Sequence, residues 1–139
     1  IIGSGENKRM LLNYINKNNL KNLIKIKDFK QNPFPYLKKA DAFILASIFE
    51  GLPNVLLEAL TLRKLIISSD CPTGPKEILD NGKGGLIFKM NDEFDLYKKI
   101  IFFIKNKSKC EKLTNYGHNR LTRFEYHKNL EEYLKILNS

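Results

Sequence analysis

Ala42-Phe43-Ile44-Leu45-Ala46 and Leu65-Ile66-Ile67 are apolar runs of strand length, and between them stands Ser47-Ile48-Phe49-Glu50-Gly51-Leu52-Pro53-Asn54-Val55-Leu56-Leu57-Glu58-Ala59-Leu60. Val55, Leu56, Ala59 and Leu60 recur at helical spacing, and Pro53 suits the first turn of a helix that opens at Leu52-Pro53. Two strands apolar throughout, joined by one helix, predict a parallel pair buried on both faces.

The pattern continues outward in both directions. Ile1-Ile2-Gly3 reads as the end of a buried strand, and Gly3-Ser4-Gly5 turns the chain into a helix carrying Leu11, Leu12, Tyr14 and Ile15. Leu23 to Phe29 predicts a strand with one wetter face, because Leu23, Ile24, Ile26 and Phe29 alternate imperfectly with Lys25 and Lys27. Asn32-Pro33 opens a short helix through Lys39. Beyond Ile67, Cys71-Pro72-Thr73-Gly74-Pro75 forces a loop before a short helix from Lys76 to Leu79, and Gly84 to Phe88 reads as a final strand. Helices follow from about Asp92, Ser108 and Arg123. In the first, Phe94, Leu96, Tyr97, Ile100, Ile101 and Ile104 read as a core stripe, which Phe102 and Phe103 widen into surface that would face a further domain. The expected fold class is α/β: a Rossmann-like parallel sheet with helices on both faces, one domain over residues 1–139. Ligands of such sheets bind beyond the carboxyl ends of the strands, here the loops after Ile2, Phe29, Ala46, Ile67 and Phe88.

Composition narrows the classes. A chain of 139 residues with 42% hydrophobic and 28% charged residues can bury a core, and is neither disordered nor collagen-like. Its apolar runs, such as Ile100 to Ile104, fall far short of the roughly 20 residues that span a bilayer. Cys71 and Cys110 stand apart without ligand spacing, which excludes a disulfide framework and speaks against structural zinc; a reducing, cytosolic setting is expected. Lysine and arginine outnumber aspartate and glutamate by 24 to 15, a net +9 that attracts phosphates, nucleic acid or an anionic membrane. The lysines are spread along the chain without a dense basic run. A start at Ile1-Ile2, with neither an initiator Met nor a signal segment, is expected of a piece cut from a longer protein.

The chemistry-bearing residues concentrate in the connecting stretch. Glu50 lies past a strand's carboxyl end, and Glu58 is expected about two turns into the next helix. Gly51 lets backbone approach a ligand, and the amides of the helix start offer donors to a phosphate or sugar oxygen. A carboxylate at the same mouth can accept both hydrogen bonds of a vicinal diol, so the arrangement suits a nucleotide sugar. Ser47-x-x-Glu50 also fits a capping box, with Glu58 merely solvated. Pro53 speaks against that, since a helix capped at Ser47 would have Pro53 in its interior. For Glu58, periodicity alone leaves both possibilities standing.

From Asn32 to Leu86 the chain resembles the carboxyl-terminal domain of retaining glycosyltransferases of the GT-B fold, the group 1 family. The residues that carry the resemblance are Asn32-Pro33, Ala40-Asp41-Ala42-Phe43, Ser47-x-x-Glu50-Gly51-Leu52-Pro53-Asn54 and Glu58-Ala59, with Glu58 eight positions after Glu50. They continue through Ser68-Ser69-Asp70-Cys71-Pro72-Thr73-Gly74-Pro75-Lys76-Glu77-Ile78-Leu79 and Asn81-Gly82-x-x-Gly85-Leu86. Gly3-x-Gly5 and Phe124 to Leu137 match the family's early glycine loop and terminal helix more loosely.

The resemblance implies that Glu58 binds the ribose hydroxyls of a nucleoside diphosphate sugar, UDP-linked, and that Glu50 faces the transferred sugar. Gly51, Leu52, Pro53 and Asn54 would touch sugar and diphosphate through backbone groups, and Asp28, Phe29 and Lys30 would meet the nucleobase. Transfer with retention would proceed by stabilising the departing diphosphate, with no obligatory metal, no other cofactor and no catalytic residue assignable within the chain. It further implies an amino-terminal acceptor domain and diphosphate-clamping basic residues upstream of Ile1, an acceptor in bacterial surface-glycan synthesis, and a cytoplasmic location with peripheral association at the inner membrane face. Arg63-Lys64-Leu65 departs from the family's Gly-x-Pro, predicting a less sharp helix stop.

A sugar-nucleotide epimerase of the same fold is the nearest rival, and Glu50 and Glu58 spaced around Gly51-Leu52-Pro53 favour transfer. A basic nucleic-acid-binding domain has the charge but no reading motif, so no nucleic-acid partner is expected. Gly3-x-Gly5 lacks the third glycine of a dinucleotide fingerprint, and His118, His127 and Cys71 have no partners that suggest catalysis.

Overall fold

Ile66 points to one side of its strand, Leu65 and Ile67 to the other, and all three are buried. The computed structural model describes residues 1–137. In chain order it runs α1 (Lys8–Lys17), α2 (Phe34–Lys39), β1 (Ala42–Leu45), α3 (Asn54–Thr61), β2 (Leu65–Ser69), α4 (Gly74–Ile78), β3 (Leu86–Phe88), α5 (Glu93–Lys105), α6 (Lys107–Asn119), a 3-10 turn (Leu121–Phe124) and α7 (Tyr126–Leu137). Contacts divide the chain into two compact units, Ile1–Pro35 and a larger one from Tyr36 onward. The expected single domain included residues 138 and 139, which lie outside the described residues.

The larger unit is built on a parallel sheet of order β1-β2-β3, with Phe43 beside Ile66, Ile44 beside Ile67 and Ile67 beside Leu86. On one face Leu56, Ala59, Leu60, Ile66, Ile78 and Leu79 form a core, with Phe43 and Phe124 packed against it. On the other, Leu65, Ile67, Phe88 and Cys110 are covered by Leu96, Ile100, Phe103 and Leu113. Each fully buried Leu or Ile contributes about 1.5–3 kcal/mol. Both faces of the parallel sheet are helix-covered, as the alternation of elements predicts.

Element edges shift for local reasons. β1 is not doubly buried: Ile44 is 43% exposed, because α5 and α6 pack over β2 and β3. Helix α3 begins at Asn54, with extended Pro53 (φ −73°, ψ 98°) as its cap, and α4 begins at Gly74, two residues before the expected Lys76. In α5 only Leu96, Ile100 and Phe103 turn to the core, while Phe94, Tyr97 and Ile104 lie exposed, so the predicted stripe is too broad. The Asp92 side chain caps α5 by accepting from the Asp95 amide at 2.8 Å.

The end of α3 is sharp despite the missing glycine. Lys64 N–H donates to the Ala59 carbonyl and Arg63 N–H to the Leu60 carbonyl, both at 2.9 Å, the closure usually built on glycine. Arg63 takes the left-handed position at φ 51°, and its guanidinium donates to Asn115 Oδ1 at 2.9 Å.

In the smaller unit, α1 buries Ile15, and Ile2 pairs with Lys27 in an isolated parallel bridge. Lys27 N–H donates to the Ile1 carbonyl at 2.8 Å and Gly3 N–H to the Lys27 carbonyl at 3.0 Å. Neither predicted strand extends beyond this bridge. Gly3 turns away at φ 146°, and Leu23 and Phe29, the outer apolar positions, are 81% and 71% exposed.

Helix α6 meets the turn before β3 with almost no clearance. A Cβ on Gly117 would stand 2.8 Å from the Gly84 carbonyl oxygen and 2.8 Å from Leu60 Cδ2. Gly117→Ala is therefore expected to lower stability by about 1–3 kcal/mol, as overpacking does, measured as a shift of the urea midpoint at constant slope.

Candidate functional site

The loops that follow β1 and β2 are laced together at the carboxyl edge of the sheet. Glu50 N–H donates to the Pro72 carbonyl at 2.9 Å, Thr73 N–H to the Glu50 carbonyl at 2.9 Å, and Gly74 N–H to the Gly51 carbonyl at 2.8 Å. The approach is so close that a Cβ on Gly74 would lie 2.1 Å from the Gly51 oxygen and 2.5 Å from Pro53 Cδ. Only glycine fits there.

Two hydroxyls extend this lacing from the core to a carboxylate. Ser69, buried at the end of β2, donates through Oγ to the Ser47 carbonyl at 2.5 Å, and Ser47 Oγ donates to Glu50 Oε1 at 2.6 Å. Ser47 and Glu50 thus interact outside any helix, and the capping box is not formed. Ser69 and Gly74 stand within the stretch singled out in the sequence, yet their roles were not legible from it. The one available signal was a glycine between Thr73 and Pro75. Asp70 N–H donates to the Phe88 carbonyl at 2.8 Å, and its carboxylate pairs with Lys76 at 2.8 Å.

Glu58 lies one turn into α3 instead of two, since the helix starts at Asn54. Four residues apart, Asn54 and Glu58 share the helix face turned away from buried Leu56, Ala59 and Leu60. The half-buried Glu58 carboxylate has no hydrogen bond or ion pair among the described residues. In the first turn of α3 the Leu56 N–H donates to the Pro53 carbonyl at 2.9 Å, and the amides of Asn54 and Val55 precede any intrahelical acceptor, so this end of the helix offers donors beside two carboxylates. Ile48, Phe49 and Leu52 give the intervening loop exposed apolar side chains. Glu50, Gly51, Leu52, Pro53, Asn54 and Glu58 are therefore neighbours along one loop and one helix turn.

Asp28, Phe29 and Lys30 belong to the smaller unit and are exposed. The Lys8 ammonium pairs with the Asp28 carboxylate and, by hydrogen bond and charge, holds its carboxyl below the ordinary range. The Gly3-Ser4-Gly5 turn lines a cavity of about 250 Å³ with Leu11 and Ile26. At the amino ends of β1 and β2, remote from the laced loops, Asp41, Arg63, Lys107, Glu111 and Asn115 line a depression of about 360 Å³. His118 Nδ1 contacts the Leu60 carbonyl at 2.9 Å, a packing role, and Cys71 and Cys110 are both buried. Among the described residues no group of His, Cys, Asp and Glu could hold a metal ion, and no helix is long and apolar enough to cross a membrane.

The family model described as Glycosyl transferases group 1 matches residues 1–120. An uncharacterized glycosyltransferase of Methanocaldococcus jannaschii, MJ1059, is 48% identical over 79 residues, 57% of this chain and 20% of the relative. A Campylobacter jejuni protein named N-acetylgalactosamine-N,N'-diacetylbacillosaminyl-diphospho-undecaprenol 4-alpha-N-acetylgalactosaminyltransferase is 28% identical over 137 residues, covering 99% of this chain and 38% of its own. The solved structure of Anabaena Alr3699/HepE in complex with UDP has a TM-score of 0.86 at 17% identity, covering 99% of this chain and 39% of that one. At that identity the likeness is one of fold, and it extends over one part of a GT-B glycosyltransferase. This chain spans well under half the length of each of these relatives. With the parallel sheet, the laced loops and a family match over most of its residues, the chain belongs to the group 1 glycosyl transferases.

Proposed function

We propose that this chain is the donor-binding domain of a longer retaining glycosyltransferase, and that its laced loops and the start of α3 hold a UDP-linked sugar. The single observation that carries this function is the contrast between two neighbouring carboxylates. Glu50 is tethered through Ser47 Oγ at 2.6 Å and, through the Ser47 carbonyl, to buried Ser69. Glu58 has no protein partner among the described residues and is open to a diol. Glu58 takes the ribose hydroxyls and Glu50 faces the sugar. Backbone groups from Gly51 to Asn54 approach sugar and diphosphate.

Charge accumulates on the diphosphate as the sugar departs, and the helix start stabilises it without an obligatory metal. Retention requires no protein nucleophile in this scheme. The UDP in the HepE structure and the N-acetylgalactosaminyl transfer to a diphospho-undecaprenol in the name of the Campylobacter relative support a UDP–N-acetylhexosamine donor and a lipid-linked acceptor; with them we propose a place in bacterial surface-glycan synthesis at the cytoplasmic face of the membrane. An acceptor domain and basic clamp contributed by a longer chain complete the site.

Calorimetric titration with UDP tests the nucleotide role. Glu58→Ala is expected to weaken binding by about 1–3 kcal/mol, the range for hydrogen bonds involving a charged group. Unchanged affinity with an intact fold would remove Glu58 from the site, and tight, steeply salt-dependent oligonucleotide binding without a UDP effect would overturn the function. Glu50→Ala is expected to leave free UDP affinity nearly unchanged while reducing discrimination in favour of the UDP-sugar; an equal loss for both would assign Glu50 to the nucleotide. Positioning an acceptor and excluding water supply much of the rate of transfer. The 139-residue chain alone is therefore expected to release UDP from a radiolabelled donor at background rate, whatever acceptor is added. Robust transfer abolished by Glu50→Ala would show it to be a complete catalyst.

A further inference from the structure

One face of α5 has apolar side chains that the fold does not cover. Leu96, Ile100 and Phe103 pack inward against the cluster of Leu65, Ile67, Phe88 and Cys110. Turned away from them, Phe94, Tyr97, Lys98, Ile101, Ile104 and Lys105 recur every three or four residues, a stripe roughly 16 Å long at 1.5 Å per residue. Phe94 is 62%, Tyr97 56% and Ile104 57% exposed. The Phe94 and Tyr97 rings stack at 6.3 Å, and Lys98 Nζ sits 4.4 Å from the Phe94 ring centre.

Lysine predominates along this stripe beyond its first turn, where Glu93 and Asp95 flank Phe94. From Leu96 to Cys110 the chain carries Lys98, Lys99, Lys105, Lys107 and Lys109 and no acid. Lys99 pairs with Asp95 and Lys107 covers the Phe103 ring, but Lys98, Lys105 and Lys109 have no ion pair among the described residues. Asp95 is itself engaged, accepting from the Lys89 amide at 2.9 Å.

We propose that this face of α5 docks on an anionic lipid bilayer, with Phe94, Tyr97, Ile101 and Ile104 in the boundary between headgroups and acyl chains and the lysines on lipid phosphates. A helix that sets aromatic and aliphatic side chains beside a lysine fringe matches such a surface in both area and charge. Protein interfaces, by contrast, are depleted of lysine at their centres. Among the other longer helices with exposed apolar residues, α1 has Met10 and Tyr14 on one side and Leu12 on the opposite one, a shorter stripe, and α7 has Glu131 and Glu132 in its sequence beside Lys128 and Lys135. The docking rests on the membrane-face setting of the proposed function and on none of its nucleotide contacts, so failed vesicle binding with intact UDP binding removes the docking alone.

Co-sedimentation of the 139-residue chain with phosphatidylcholine vesicles, with and without phosphatidylglycerol, tests the docking. The chain is expected to sediment with the anionic vesicles and to be released from them by salt. Phe94→Ser with Ile104→Ser, and separately Lys98→Glu with Lys105→Glu, are each expected to lower partitioning about tenfold or more. Leu130→Ser with Leu134→Ser on α7 should bind like the parent. Circular dichroism verifies folding, and the charge-reversal pair leaves all apolar packing in place should the serine pair unfold. Equal binding to neutral vesicles, retained binding in the folded α5 variants, or loss in the folded α7 variant would overturn the proposal. So would self-association, seen by light scattering and abolished by the serine pair on α5, which would give the face to a second copy of the chain.

Discussion

The burial of β2 on both faces is the constraint on which the larger unit depends. Leu65, Ile66 and Ile67 alternate between two cores, so α3 and α4 are tied to one side and α5 and α6 to the other through the same few residues. A strand in that position has no solvent-facing side, and a polar residue on it must find a partner within the protein. Ser69 satisfies its hydroxyl by donating to the Ser47 carbonyl. The requirement to pair a buried hydroxyl therefore also sets the path of the loop that carries Glu50.

Sheet direction, helix-covered faces and the position of the candidate loop were legible because they rest on local alternation: apolar strands, helical spacing at Leu56, Ala59 and Leu60, and a proline that cannot sit inside a helix. What escaped the sequence depends on partners distant in the chain. Leu23 to Phe29 has a strand-like pattern yet forms only one bridge, since alternation does not reveal how long a partner remains in register. Ile44 reads as buried, but its exposure depends on where α5 and α6 pack. Ser69 and Gly74 are small residues whose importance lies in approach distances to Ser47 and Gly51, and spacing contains no distance. For Glu58 the sequence leaves ligand contact and solvation both standing, because spacing does not tell whether a carboxylate has a partner within the protein.

Arg63 shows how a departure from a family pattern is absorbed. A side chain in the left-handed region costs about 1 kcal/mol or more relative to glycine, and here it occupies the turn that glycine usually makes. Its guanidinium in return hydrogen-bonds Asn115 on α6. The departure changes how the amino ends of the strands are fastened and leaves the opposite edge, where the loops are laced, untouched.

The three backbone hydrogen bonds between Glu50–Gly51 and Pro72–Gly74 make the lengths of two loops a matched pair. A residue inserted into either one would displace carbonyls and amides that the other needs, so an insertion tolerated on an ordinary surface loop requires a compensating change across the gap. Diversification at this edge is thereby channelled into the exchange of side chains on a fixed backbone frame. The positions free to vary in that way are the exposed Ile48, Phe49 and Leu52, which could be replaced without altering the number of residues on either side of the ladder.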